Sequence, residues 1–443
     1  MSPDFEIVAL PVIVAAAIPS AGIAVPPLEI AMIYAAIQTV LIIVPAAWIS
    51  MAYAAAPLHG RNDDAWYERA RLGWPLQEVY AFAFRVGLGL AVAWQWFQWR
   101  RDHSDDYGIA ASWTAFVVGV VLMEYVGWPT AWNLEGAALT TNKGMKRIAF
   151  ILLSEWYHLV IVVVAWQSAP PEFNARVVLH YAAALGVAST LYFGGALALL
   201  RLLRVIVPAS EKTRAVINAA AARCGFAVPT TYELDISSAN AYAFPVGGQI
   251  GVGRVLVEEL QPDELEAILL HEVGHLQESW AEIMQRWAVL PLSMSVVFFD
   301  ALEHQFGFAG LLVYVPVIYG INRLSTNARR QEEVADEFAR RCVGSQADYA
   351  RALEKIHRIN LVPAVLGRFS DTHPDLYDRM LAAGVTPSYD RPEQPNRRRT
   401  IVAITLFGVL CVAALVISEV AAFTDFRKSV SPATTHQQTL MPR

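Results

Sequence analysis

Residues 267–278 read AILLHEVGHLQE, Ala267 to Glu278, with His271 and His275 four positions apart and Glu272 directly after the first. An HExxH pattern is short enough to arise by chance, so its meaning rests on its surroundings. The stretch lies within QPDELEAILLHEVGHLQESWAEIMQRW, Gln261–Trp287, which reads as one long helix. Pro262 suits the first turn, and Asp263 and Glu264 suit the positive end of the helix dipole. Side chains at i and i+4 leave one face of a helix a turn apart, so His271 and His275 can reach a single ion. Glu272 lies about 100° further round the axis, beside a metal-bound water and not among the ligands.

A catalytic zinc takes three protein ligands and keeps a position for water, so a third donor is needed on a neighbouring element. The best candidate lies in ARRQEEVAD, Ala328–Asp336, where Glu332 and Asp336 are again i and i+4. Glu332 would complete the set, and Asp336 would accept the N–H of a ligand histidine and fix its tautomer. Glu333 competes on chemistry but lacks an Asp one turn on. Taken alone, such a charge run is more simply a solvated face.

The 443-residue chain is 55% hydrophobic and 17% charged, with a mean hydropathy of +0.37. Soluble domains are about a quarter charged, so much of this chain is expected in lipid. A net charge of −6 argues against a nucleic-acid partner, which needs a basic surface. Bilayer-spanning helices take about 20 largely apolar residues. Suitable runs lie at Phe5–Val25, Leu28–Ala54, Val79–Trp99, Tyr107–Trp132, Ile148–Trp166 and Val177–Val207, with a last one at Ile401–Phe423. Many end in Trp or Tyr, which favour the headgroup region. MSPDFE lacks the basic start of a signal peptide, so the first run is expected to be kept as a span. Cys224, Cys342 and Cys411 show no CxxC spacing and read as packing residues.

From Pro208 the composition becomes that of a soluble domain. ASEKTRAVINAAAARCG reads as a helix with Ser210 near its N-cap and Gly225 at its end, and TTYELDI, ANAYAF and QIGVG read as strands. Two shorter apolar runs, Trp287–Phe299 and Phe308–Ile321, read as a hydrophobic hairpin. With a cytoplasmic N-terminus, the loops holding Arg61, Arg69 and Arg71 and holding Lys143, Lys146 and Arg147 are cytoplasmic. The domain after residue 207 lies on that side too, and the opposite loops hold only Arg100, Arg101 and Arg176. This charge asymmetry predicts a multi-pass protein of the cell (inner) membrane with a cytoplasmic metal domain.

LQPDELEAILLHEVGHLQ, the hydrophobic hairpin, RRQEEVADEFA and THPDLYDRM follow one another in the order seen in the M48 zinc metallopeptidases, the family of the HtpX and Ste24 membrane proteases, which this sequence resembles from about Arg204 to Leu381. NAYAFPVGGQIGVGRVLVEEL is similar to the family's segment before the zinc helix. The resemblance implies one Zn2+ per chain held by His271, His275 and Glu332, with Glu272 as general base and Asp336 behind a ligand. It places Asn240 and Ala241 on a substrate-pairing strand, His373 near the tetrahedral oxyanion, and Arg379 at the arginine that follows it near the substrate. Ala328 replaces a serine usual before Arg329, and Glu278 with Trp280 replaces the polar pair usual after the second histidine.

The expected architecture is mainly α: a multi-span helical membrane region of about six helices over 1–207 and a zincin-like α+β metallopeptidase domain over 208–399. That domain combines the HExxH helix with a small antiparallel sheet and is interrupted by the hairpin at 287–322. A transmembrane helix over 400–423 and a disordered tail over 424–443 complete it. The expected function is an integral membrane zinc endopeptidase cleaving membrane-associated or misfolded polypeptides, with the lipid bilayer as its other partner. A sensor-transducer signalling through a metallopeptidase domain and a non-catalytic scaffold remain the alternatives. Arg85, Glu124, Glu155, His158 and His180 are costly inside spans and could line a substrate chamber or form a second metal or proton site, but Arg85 with Glu124 or Glu155 reads first as a buried pair holding helices together. His103, His304 and His357 read as surface residues.

Overall fold

The computed structural model describes residues 27–61, 63–102, 104, 106–120, 141–236, 239–325, 328–343, 345–367 and 375–430. These fall into two compact units that are not sequential. One holds residues 57–74 and the described part of 128–396; the other holds the described parts of 8–56, 75–127 and 397–443.

Among the described residues, five helical stretches are long and apolar enough to cross a membrane: Leu28–Leu58, Met145–Ser168, Ala175–Leu202, Trp280–Leu324 and Arg397–Ile417. The run at Val79–Trp99 is helical but passes through a π-turn at Ala83–Gly87. The run at Tyr107–Trp132 is helical over 106–120. The rest of it and the run at Phe5–Val25 lie outside the described residues.

In the second unit, Leu28–Ala55 packs on the C-terminal helix Arg397–Val430. That helix continues past 423, so the first residues of the expected tail are helical. Gly87 allows close packing, because a Cβ there would lie 2.7 Å from Cζ of Phe407. Gln95 donates to Gln38 Oε1 at 3.0 Å and accepts from Trp99 Nε1 at 3.0 Å, a buried polar link that keeps apolar helices in register.

The first unit carries a four-stranded sheet: β1 (Ile206–Pro208), β2 (Thr230–Leu234), β3 (Ala241–Phe244) and β4 (Gln249–Gly253), in the order β1-β2-β4-β3. The expected antiparallel sheet is in fact mixed. β1 pairs antiparallel with β2 and β3 with β4, but β2 and β4 run parallel. The reason is topological: β3 makes a hairpin with β4, and β4 inserts between β3 and β2, leaving β3 at the edge. β1 lies at the end of the run Val177–Val207 that reads as a span. Three apolar residues there serve a strand equally well, and Arg204 (φ 53°) reverses the chain before them.

Helix α1 (Glu211–Cys224) begins at an Ser210 cap and ends at Gly225 in the left-handed conformation, as expected. α2 (Pro262–Leu276) starts with Pro262 after Gln261, whose N–H donates to Glu264 Oε2 at 2.8 Å. The long helix expected to Trp287 is broken at Gln277–Ser279. Ser279 caps a new helix, α3 (Trp280–Trp287), and Glu282 returns a bond to the Ser279 N–H at 2.8 Å. Two good N-terminal capping sites thus divide one apolar-periodic stretch. α4 (Ala328–Cys342), α5 (Gln346–Asn360) and α6 (Leu376–Ala382) complete the domain. Leu265, Leu269 and Val273 of α2 bury against Ile250 and Val252 of the sheet and Leu353 of α5.

Between α3 and α4 the chain makes the expected hairpin. It turns at Gly307 (φ 61°) and folds back, with the Tyr314 hydroxyl donating to Ser295 O at 2.9 Å. Gln285 Nε2 donates to Leu324 O at 3.2 Å and ties its two ends together. Its inner face packs with Val162, Val177 and Ala188 of the spans at Met145–Ser168 and Ala175–Leu202.

Candidate metal centre

α2 and α4 cross at Gly274 and Ala335. A Cβ on Gly274 would stand 2.6 Å from Ala335 Cα, so only glycine permits this approach. The closeness carries Glu332 over the two histidines. Glu332 Oε2 lies 3.4 Å from His271 Nε2 and 3.6 Å from His275 Nε2, and the three donor atoms lie within 4.8 Å of one another. Among the described residues this is the one such group of His, Cys, Asp or Glu. Two imidazole nitrogens and one carboxylate oxygen converging from two helices fit a zinc ion with an open position. Glu333 points away and is exposed.

Behind His271 lies a second layer. Asp336 Oδ1 is 3.0 Å from His271 Nδ1, as expected for an acid that orients a ligand. Arg379 Nη2 donates to both Asp336 oxygens, at 2.8 and 3.0 Å. The Tyr349 hydroxyl on α5 donates to Asp336 Oδ1 at 2.5 Å, accepts from Arg379 Nη2 at 2.6 Å and lies 3.1 Å from His271 Nδ1. Arg379, expected at the substrate, lines the cleft, but its guanidinium is engaged with Asp336. A cation that close to a half-buried carboxylate binds it before any ligand. Tyr349 gave no sequence signal, because nothing local sets it apart from a core tyrosine.

The charges follow from these contacts. Burial opposes a proton on His271, yet the bonds to Asp336 and Glu332 outweigh it and push the imidazole up to about 9. Burial likewise opposes charge on His275, and Glu278 and Glu332 push it up to about 10. Burial raises Asp336, but His271 and Arg379 win and hold it down at about 2. Glu272 is buried, which raises its carboxyl, while both histidines and the Ala243 N–H stabilise its ionised form.

A cleft of about 570 Å³ opens onto these groups. Asn240 and, from β3, Ala241, Tyr242 and Ala243 form one wall, and Leu353, Ile356 and Val362 form an apolar one. The expected substrate strand therefore stands at a sheet edge beside Glu272. His357, read as a surface residue, is half-buried on the cleft wall, with Nδ1 3.3 Å from Val362 O. Trp74 also lines the cleft. His373 and Glu124 lie outside the described residues. His158 is buried in its span, whereas Glu155 is exposed on the π-turn Leu152–Trp156, so the two do not share a buried site.

Fold and site together define a multi-span membrane protein with a helix-borne His–His–Glu centre and a sheet edge beside it. The sequence matches Peptidase family M48 over residues 209–384, so the chain carries a domain of that family. It is 30% identical over 159 residues to a protease HtpX homolog of Thermoplasma volcanium, covering 32% of this chain and 50% of the relative. An HtpX homolog of Methanothermobacter thermautotrophicus is 25% identical over 36% of this chain and 64% of its own length. The chain thus spans about half to two thirds of the length of these relatives. The crystal structure of S. mikatae Ste24p aligns with 82% of this chain and all of its own, at 15% identity and a TM-score of 0.47.

Proposed function

We propose that this protein is an integral membrane zinc endopeptidase. The observation that carries the reading is the convergence of His271, His275 and Glu332 with buried Glu272 beside them. His271 Nε2, His275 Nε2 and a Glu332 oxygen would hold the ion. Bound zinc supplies an acidified water and a polarised scissile carbonyl. Glu272 takes the proton from the attacking water and passes it to the leaving amine. Its burial favours this exchange, since a carboxyl that is neither strongly acidic nor water-screened both accepts and releases a proton readily. Asp336, steadied by Arg379 and Tyr349, fixes the His271 tautomer with Nε2 toward the ion.

The substrate is a polypeptide, laid as an added strand along β3 from Asn240 and Ala241. Main-chain bonds there give affinity with little side-chain specificity. His373, placed by the family resemblance alone, is assigned to the oxyanion. In the sequence the hairpin at 287–322 connects the segments carrying the two ligand helices, which favours clients that are membrane-bound or membrane-delivered. The loop charge asymmetry favours a cytoplasmic domain at the cell membrane. The ion pair of Lys146 with Asp235 beyond β2 supports that loop lying on the domain's side.

The test is Glu272→Gln in the purified full-length protein. It should keep zinc and lose peptide cleavage by about 10²–10⁴-fold. Full cleavage by this variant would remove Glu272 from its role.

A further inference from the structure

His271 does not stand alone in having a carboxylate behind it. Glu278, two residues beyond α2, turns its carboxylate back under His275, with Oε1 3.8 Å from Nδ1, and its side chain is only 6% exposed. Both Glu278 oxygens are taken by Arg286 of α3: Nη1 reaches Oε1 at 3.2 Å, and Nη2 meets Oε2. Eight residues along an unbroken helix rise about 12 Å, so this direct pair depends on the turn at Gln277–Ser279. On the same helix as Arg286, Ile283 O accepts from the Tyr192 hydroxyl at 2.9 Å. Tyr192 sits on the π-turn Leu191–Gly195 of the span Ala175–Leu202.

The two histidines are therefore served alike. His271 has Asp336 held by Arg379; His275 has Glu278 held by Arg286. With Nε2 of His275 facing Glu332, its Nδ1 is left to donate, and Glu278 is the carboxylate facing it. At 3.8 Å the two groups are in ion-pair contact. Arg286 holds the acceptor away from the metal position, and the Tyr192 bond to Ile283 O ties α3, which carries Arg286, to the membrane span.

We infer that Glu278 is a positioning residue for the metal ligand His275, held in place by Arg286. This rests on the metal-centre reading above and adds a group that the HExxH pattern does not contain.

The experiment uses the full-length protein in detergent, with zinc titrated against a competing chelator and cobalt as a spectroscopic substitute. Glu278→Gln should weaken zinc about 10–100-fold and shift the cobalt ligand-field bands. Glu264→Gln, which removes another buried carboxylate of an ion pair on α2 far from His275, should leave affinity and bands unchanged. Should Glu278→Gln fail to fold, Glu278→Gln with Arg286→Gln removes both charges together and gives the same readout. Wild-type affinity and bands in the Glu278 variants overturn the inference, as does an equal loss in Glu264→Gln. Glu332→Gln keeps the two readings apart. If it leaves zinc binding intact, the metal-centre reading fails; if it abolishes binding while Glu278→Gln does not weaken it, only the role of Glu278 fails.

Discussion

Gly274 sits between His271 and His275 in the chain, and replacing it tests how tightly the proposed metal site depends on helix packing. The Cβ of Gly274→Ala would lie 2.6 Å from Ala335 Cα, 3.0 Å from its carbonyl oxygen and 3.1 Å from its Cβ. These are backbone and near-backbone atoms of α4, so no side chain can swing clear. Restoring ordinary contact at about 3.5 Å requires the helices to part by roughly 1 Å. The overpacking costs about 1–3 kcal/mol, offset in part by about 0.5–1 kcal/mol from removing a helical glycine. The fold should therefore survive with a modest loss of stability. The metal site should not escape so lightly. Glu332 lies one turn from Ala335 and moves with α4, whereas metal–ligand distances tolerate only about 0.2 Å. Zinc affinity should fall at least about tenfold, or about 1.4 kcal/mol. Chelator competition on the full-length protein measures it, alongside thermal unfolding of the metal-free form. Wild-type zinc affinity in a folded Gly274→Ala would refute the claim that this contact sets the position of Glu332.

The remaining expectations concern the groups around that contact. Tyr349→Phe removes the hydroxyl shared by Asp336, Arg379 and His271; zinc should weaken about tenfold, and a chelator titration identical to wild type would count against the network. Ser279→Ala removes the cap of α3 and should cost about 1 kcal/mol, read by denaturant unfolding. His271 and His275, raised to about 9 and about 10, are both protonated at pH 7 without metal. Zinc must displace two protons there, so log affinity should rise by about two per pH unit between pH 7 and 9; a slope near zero excludes those raised values. The sign reverses for the metal-free fold. Raised histidines stabilise it fully below their unfolded value of about 6.5 and cease to do so as pH passes 9–10, so its melting temperature should fall over that window.

What the sequence revealed was local in character. His271, Glu272 and His275 share one helix, and Glu332 and Asp336 share another, so i and i+4 spacing alone aligned each set. Ser210, Gly225 and Pro262 marked helix ends through backbone chemistry that needs no tertiary contact. The break at Ser279 was missed because apolar periodicity runs on through it, while the capping box that stops the helix is made by Glu282 three residues later. The parallel pairing of β2 with β4 was equally hidden, since strand patterns carry no record of which neighbour is chosen.

Beyond Asp336, which its spacing from Glu332 marked, the roles in the supporting layer of the site were illegible for a different reason. Tyr349, Arg379 and Arg286 are ordinary residue types, and only their meeting with Asp336 or Glu278 gives them a task. Those meetings depend on where α5, α6 and α3 dock, which side-chain spacing within one segment does not encode. Glu278 is the instructive case. In the sequence, with Trp280, it was only a departure from the polar pair usual after the second histidine. In the fold, the turn that ends α2 converts it into a carboxylate facing His275 and clamped by Arg286. A departure from a family's pattern beside a metal ligand is thus better tested first as a change in how the ligand is held, because the nearest polar atom to a fixed imidazole is its Nδ1 partner.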